Sequence, residues 1–196
     1  RSRAAKVAAE FFGTGQFEDT ARRNGYCTWS AWDAQGREWK FQRDVSIDGP
    51  DSQKCELVTP ILTYADMETL QELIRRLRRA GAKSDSTRGC GVHIHIGAKG
   101  HTPQTMRNLA NIMASHESLL AEALDLDHYR MRRYCRTVDP RFLEQLNRRK
   151  PTTMADLADI WYSSQGANYG RSQQLPYAQP PCHLYQRHGR VQAFPI

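Results

Sequence analysis

The run Arg88-Gly89-Cys90-Gly91-Val92-His93-Ile94-His95-Ile96-Gly97 constrains this chain more than any other segment. Its strict alternation predicts a short β-strand, because side chains on a strand point to opposite faces with period two. Val92, Ile94 and Ile96 would enter a core from one face. Gly91, His93 and His95 would occupy the other, with two imidazoles side by side over a backbone thinned by glycine. Neutral imidazole ligates metals and imidazolium binds anions, so such a face suits the floor of a metal or phosphate site. The bland alternative stays open: histidines at i and i+2 also serve as structural or solvent-facing groups.

The flanking patterns supply the rest of an α+β fold. Residues 4–12 predict a helix stopped by Gly13, with Val7, Ala8, Phe11 and Phe12 on one side. Two aromatic-rich runs, 27–33 and 37–46, meet at Ala34-Gln35-Gly36, as the strands of a hairpin do. Residues 54–59 predict a third strand. Thr63 and Asp66 form a capping-box pattern before the apolar period Met67, Leu70, Leu73, Ile74, Leu77, which Gly81 ends. Thr102-Pro103 opens a long helix with Met106, Leu109, Ile112, Met113, Leu119 and Leu120 as its expected buried stripe. Asp139-Pro140 and Thr153 open two more. The order predicts an antiparallel sheet covered on one face by helices, the other face left open for ligand. From about Ser172 periodicity dissolves, giving a domain over 1–171 and an irregular tail over 172–196.

Charge and cysteine content narrow the function classes. Net charge is +7, concentrated in Arg75-Arg76, Arg78-Arg79, Arg130 to Arg136 and Arg148-Arg149-Lys150. These clusters fall on the polar faces of expected helices, without the interleaved aromatics of a base-stacking platform. Solvated helix faces or an electropositive mouth for an anionic substrate fit better than nucleic-acid binding. The five cysteines form no CxxC pair, and their odd number fits reduced thiols in a cytoplasmic protein. No run approaches the ~20 apolar residues of a membrane helix.

Three segments carry the polar groups expected to converge: the strand ending in Asp44 and Ser46, the strand holding Glu56, and the His93/His95 strand. A carboxylate beside imidazoles outlines a hard-cation and phosphate site, since Mg²⁺ takes oxygen ligands and shares them with nucleotide phosphates. Each element has an ordinary counterpart. A lone strand glutamate is often edge-exposed, and Asp44 with Ser46 could be a simple turn. A zinc module using His93, His95 and Glu56 is an alternative, as is a basic nucleic-acid-binding protein.

D-x-S, then C-E-L-V-T-P-I-L, a helix, and G-C-G-V-H-I-H-I-G, in that order over about 4–171, resemble the amidoligase family. That family belongs with the glutamine synthetase and glutamate–cysteine ligase-like carboxylate–amine ligases. The resemblance implies a glutamine synthetase-like catalytic fold and an ATP- and Mg²⁺-dependent enzyme that forms an amide through an acyl phosphate. It implies catalytic roles for Glu56, His93 and His95, with Glu56 and His93 near metal. Asp44, Arg132 and Arg133 would bind substrate or phosphate. Partners would be small-molecule or peptide carboxylates and amines.

The family pattern also opens with a G-x-E-x-E strand and closes with Y-H-x-L-N-L-H and G-T-x-E-F-R, none of which the chain shows. Back-translated with free wobble bases and read one nucleotide later, residues 173–196 permit S-N-Y-H-T-L-N-L-H-A-T-F-T-K-G-T-V-E-F-R-L-F-Q. The tail is therefore expected to be a frameshifted ending, and the chain as written to be inactive or poorly folded. The coding DNA around codons 171–174 decides the first point.

Overall fold

In the computed structural model the described residues are 1–126, 131 and 137–164. They divide into two compact units, one ending at Cys90 and the other beginning at Gly91.

The first unit is an antiparallel sheet whose two longer helices pack on one face. Helix α1 (Ser2–Phe11) precedes strand β1 (Phe17–Asp19) and a single turn, α2 (Ala21–Asn24). The hairpin β2 (Trp29–Trp32) and β3 (Glu38–Gln42) follows, then β4 (Glu56–Val58) and helix α3 (Met67–Arg79). The sheet order is β1-β2-β3-β4, every pair antiparallel. The expected hairpin, third strand and capped helix are present, except that the second hairpin strand ends at Gln42 and leaves Asp44 and Ser46 in the turn that follows; β1 and α2 are additional.

Register and period two sort the side chains. Phe17, Ala31, Trp39 and Leu57 share a face with Trp29 and Phe41, as the pairs Phe17–Ala31–Trp39 and Trp29–Phe41–Leu57 require. Against this face α1 sets Ala5, Ala8 and Ala9, and α3 adds Leu73 and Leu77 to the same core. Three alanines on one helix stripe let α1 approach closely enough for Phe12 to reach Trp39, their ring centroids 5.1 Å apart. The opposite face carries Glu18, Ser30, Trp32, Glu38, Lys40, Gln42 and Glu56. One apolar face and one polar face is the economical solution for an antiparallel sheet.

Buried charge ties the hairpin to α3. Asp33 accepts hydrogen bonds from the Trp39 indole (3.0 Å), from Arg37 Nε (2.8 Å), and from the backbone N–H groups of Gln35 and Arg37. Arg37 also donates to Asp66 at 2.9 Å. The other oxygen of Asp66 accepts the N–H and hydroxyl of Thr63, so the expected cap forms and is anchored to the hairpin turn.

The second unit contains helices α4 (Pro103–Ala123), α5 (Pro140–Arg149) and α6 (Met154–Ser164). Each begins as its sequence predicts. Thr102 Oγ1 accepts Thr105 N–H, Asp139 accepts Arg141 N–H, and Thr153 Oγ1 accepts Asp156 N–H. Met106, Phe142, Leu146, Leu157 and Ile160 form the core, and Phe142 meets Trp161 edge-on with centroids 4.9 Å apart. Asn111 and Asn147 exchange amide hydrogen bonds between α4 and α5.

Two expectations are corrected here. The stripe on α4 is only partly a core stripe: Met106 is buried, while Leu109, Ile112 and Leu119 are exposed. At 100° per residue, Ile112 and Leu119 lie well around the helix from Met106 and Ala110, beyond the arc that packs into this core. The second correction concerns the imidazole strand. Residues 91–98 have no regular secondary structure, and Val92, Ile94 and Ile96 are exposed by 41, 47 and 77%. An alternating sequence becomes a strand only where a neighbour takes its N–H and C=O groups, and no described strand pairs with these residues.

Candidate active site

The first unit brings two of the sequence motifs into contact. After β3 the chain turns at Asp44, whose Oδ1 accepts the backbone N–H (2.8 Å) and hydroxyl (2.6 Å) of Ser46. After α3, Asp85 caps a short 3₁₀ turn by accepting Thr87 N–H at 2.9 Å. Gly89 ends that turn at φ +83°, and a Cβ built there would lie 2.6 Å from the carbonyl oxygen of Ser46. Asp48 N–H donates to Arg88 O at 2.8 Å, joining the same two segments. Thus D-x-S and the start of G-C-G cross backbone to backbone, and glycine is demanded twice, by conformation and by space. Asp85 is held below the usual carboxylate range by its hydrogen bonds from Thr87.

Glu56 begins β4 and is partly exposed on the polar face of the sheet. Its register partner is Gln42, whose Nε2 donates to Glu56 Oε2 at 3.1 Å. Along the same face of β3, Lys40 lies 3.9 Å from Glu38. Burial opposes ionisation of Glu38, but hydrogen bonds from Ser30 (2.7 Å) and Asn24 (2.9 Å) outweigh it and keep the carboxyl below its ordinary value. Behind Glu56, Cys55 packs against the core, and burial pushes its thiol up.

His93 and His95 belong to the second unit, His93 half-buried and His95 exposed. Arg132 and Arg133 lie outside the described residues, as does the segment 172–196. Asp44, Ser46, Gln42, Glu56 and Gly89 are the site residues that the first unit positions. Gln42 was missed by reasoning from the sequence alone. Strand alternation from Lys40 could have placed it on the polar face, but its pairing with Glu56 depends on register.

Among the described residues, no group of three or more His, Cys, Asp or Glu side chains is gathered to hold a metal ion. Mg²⁺ does not need one. It keeps several waters and takes one or two carboxylates together with substrate phosphates. The oxygen donor of Glu56, on a polar and partly solvated face, fits that requirement.

An antiparallel sheet with α1 and α3 on one face, and a partly exposed carboxylate on the other, defines an α+β protein. The chain matches the family described as putative amidoligase enzyme over residues 1–190, and it belongs to that family. No curated protein and no solved structure matches it. No described helix is long and apolar enough to cross a membrane.

Proposed function

We propose that the chain is built as an ATP-dependent carboxylate–amine ligase of glutamine synthetase-like type, with Mg²⁺ as its metal. The observation that carries this reading is Glu56, an acid on the face of the sheet turned away from α1 and α3. Family membership supplies the reaction class. In the first step a substrate carboxylate oxygen bonds to the γ-phosphorus of ATP, the bond from that phosphorus to the bridging oxygen breaks, and ADP leaves. In the second an amine nitrogen bonds to the acyl carbon, the carbon–oxygen bond to phosphate breaks, and the amine proton passes to water. Bound Mg²⁺ would screen the phosphate charge.

Both steps build negative charge on transferred or departing oxygens, so the protein's task is placement and electrostatic stabilisation rather than covalent attack. Glu56 would hold the cation. His93 and His95 would donate to phosphate or carboxylate oxygens, and Arg132 and Arg133 would add positive charge for the substrate. Asp44 would act by fixing the D-x-S turn against Gly89.

Hydroxylamine trapping tests the reading. The chain is incubated with ATP, Mg²⁺, hydroxylamine and a panel of carboxylates, including glutamate and short acidic peptides. Acyl phosphate is then captured as a hydroxamate. ATP-dependent hydroxamate from the version continued in the shifted frame after Arg171, lost in its Glu56→Gln variant, is the expected result; the chain as written should give little or none. Absence of hydroxamate with every carboxylate, from this chain and from that version, would overturn the proposal.

A further inference from the structure

The geometry points to Gln42 as the positioning residue for the Glu56 carboxylate. This inference rests on the ligase reading of Glu56 and adds a residue to it. Gln42 ends β3 and Glu56 begins β4, and the two are Cα partners in the antiparallel ladder. The backbone therefore holds their side chains on one face, and Gln42 Nε2 donates to Oε2 at 3.1 Å.

Three features make this more than a cross-strand pair. A glutamate has three side-chain torsions to immobilise, and a hydrogen bond at the carboxylate restricts them before a cation arrives. The bond also engages Oε2 and leaves Oε1 for a metal. Finally, the donor is a neutral amide. A lysine or arginine in its place would neutralise the carboxylate and compete with the cation, whereas an amide orients the group and leaves its charge intact. Lys40, two residues along the same face, instead lies 3.9 Å from Glu38, which with Ser30 and Asn24 forms a separate network.

The test uses the full chain with Mn²⁺ and ATP, the nucleotide supplying the phosphate oxygens that share the cation, and protein-bound Mn²⁺ is read by its enhancement of water-proton relaxation. Two variants remove the donor: Gln42→Met keeps the length, and Gln42→Thr is a good strand former too short to reach Glu56. Both should weaken Mn²⁺ binding by about 10-fold or more, the usual consequence of losing a partner that orients a metal ligand. Neither should weaken it further when combined with Glu56→Gln. Wild-type Mn²⁺ affinity in both Gln42 variants, with affinity lost in Glu56→Gln, would overturn the inference and leave the ligase reading standing. Equal losses from the Gln42 variants in both backgrounds would also overturn it, because the effect would not pass through Glu56. Unchanged binding in Glu56→Gln, or no binding by the wild type, would overturn both.

Discussion

Gly89 sits so close to Ser46 that a methyl group on its α-carbon would lie 2.6 Å from the Ser46 carbonyl oxygen, and its φ of +83° is one that L-residues avoid. The neighbour is backbone, so it cannot swing aside as a side chain would. Gly89→Ala should cost about 3 kcal/mol, combining a left-handed penalty of about 1–2 with the strain of overpacking. Two controls separate these causes. Gly81 has φ +99° with nothing within 4 Å of a Cβ, so Gly81→Ala should show the conformational penalty alone. Gly97 also has open space but no such φ, and Gly97→Ala should be near neutral. Urea unfolding of the three variants checks the order.

The Asp33–Arg37–Asp66 chain predicts how the first unit responds to acid. Burial opposes ionisation of Asp33, but hydrogen bonds from Trp39, Arg37 and Gln35 prevail and depress its pKa. Arg37 and Thr63 hold Asp66 well below the usual carboxylate range. A depressed carboxylate adds stability that is fully present above its unfolded pKa of about 3.9 and is lost as pH falls towards the folded value. Stability of this unit should therefore hold down to about pH 4 and decline below it. Asp33→Asn should cost about 2 kcal/mol at pH 7 and flatten that decline. Chemical denaturation between pH 2 and 7 reads both effects.

Glu117 on α4 should behave with the opposite sign. Burial raises its pKa, although Oε1 accepts the backbone N–H of Val138 at 2.8 Å. An acid with a raised folded pKa adds stability that is fully present below the unfolded value of about 4.3 and is lost as pH rises from there through the folded value. Glu117→Gln keeps an acceptor for Val138 and removes the buried charge. At pH 7 it should stabilise the second unit by less than about 1 kcal/mol, and below pH 4 the gain should vanish. Thermal melts at the two pH values decide it.

Short-range signals carried much of this fold, and long-range pairing limited the rest. The hairpin at Ala34-Gln35-Gly36, the Thr63–Asp66 cap and the starts at Pro103, Pro140 and Thr153 are written in adjacent residues. Residues 91–98 alternate as a strand should, yet alternation specifies a face and not a partner. Likewise, helical spacing made one stripe of Met106, Ile112 and Leu119, whereas packing against α5 buries only the first. Within the candidate site, Glu56 and Asp44 were visible as residue types. The contacts that position them, Gln42 to Glu56 and Gly89 to Ser46, join segments far apart in the chain and follow from topology.

The α4 difference is itself measurable. Met106→Ala removes a buried side chain and should cost about 2–4 kcal/mol, through lost transfer energy and a residual cavity. Ile112→Ser and Leu119→Ser alter side chains that are 57 and 61% exposed. They should each cost less than about 1 kcal/mol, mostly in helix propensity. Urea midpoints of the three variants test this; a large loss at Ile112 or Leu119 would place those residues in a packed interface after all.

Asp44 separates turn formation from chemistry, because its Oδ1 already accepts both polar hydrogens of Ser46, at 2.8 and 2.6 Å. An asparagine retains that oxygen and loses only the charge. Asp44→Asn should therefore fold within about 0.5 kcal/mol of wild type, whereas Asp44→Ala should lose about 1 kcal/mol with the turn. If Asp44 serves the ligase by fixing the D-x-S segment against Gly89, hydroxamate formation by the version continued in the shifted frame should survive in Asp44→Asn and fall in Asp44→Ala. Loss in both variants, with Asp44→Asn as stable as wild type, would instead give the carboxylate charge a direct role beside Glu56. The two stability curves and two hydroxamate rates are sufficient to choose, because the turn contributes to both measurements and the charge to only one.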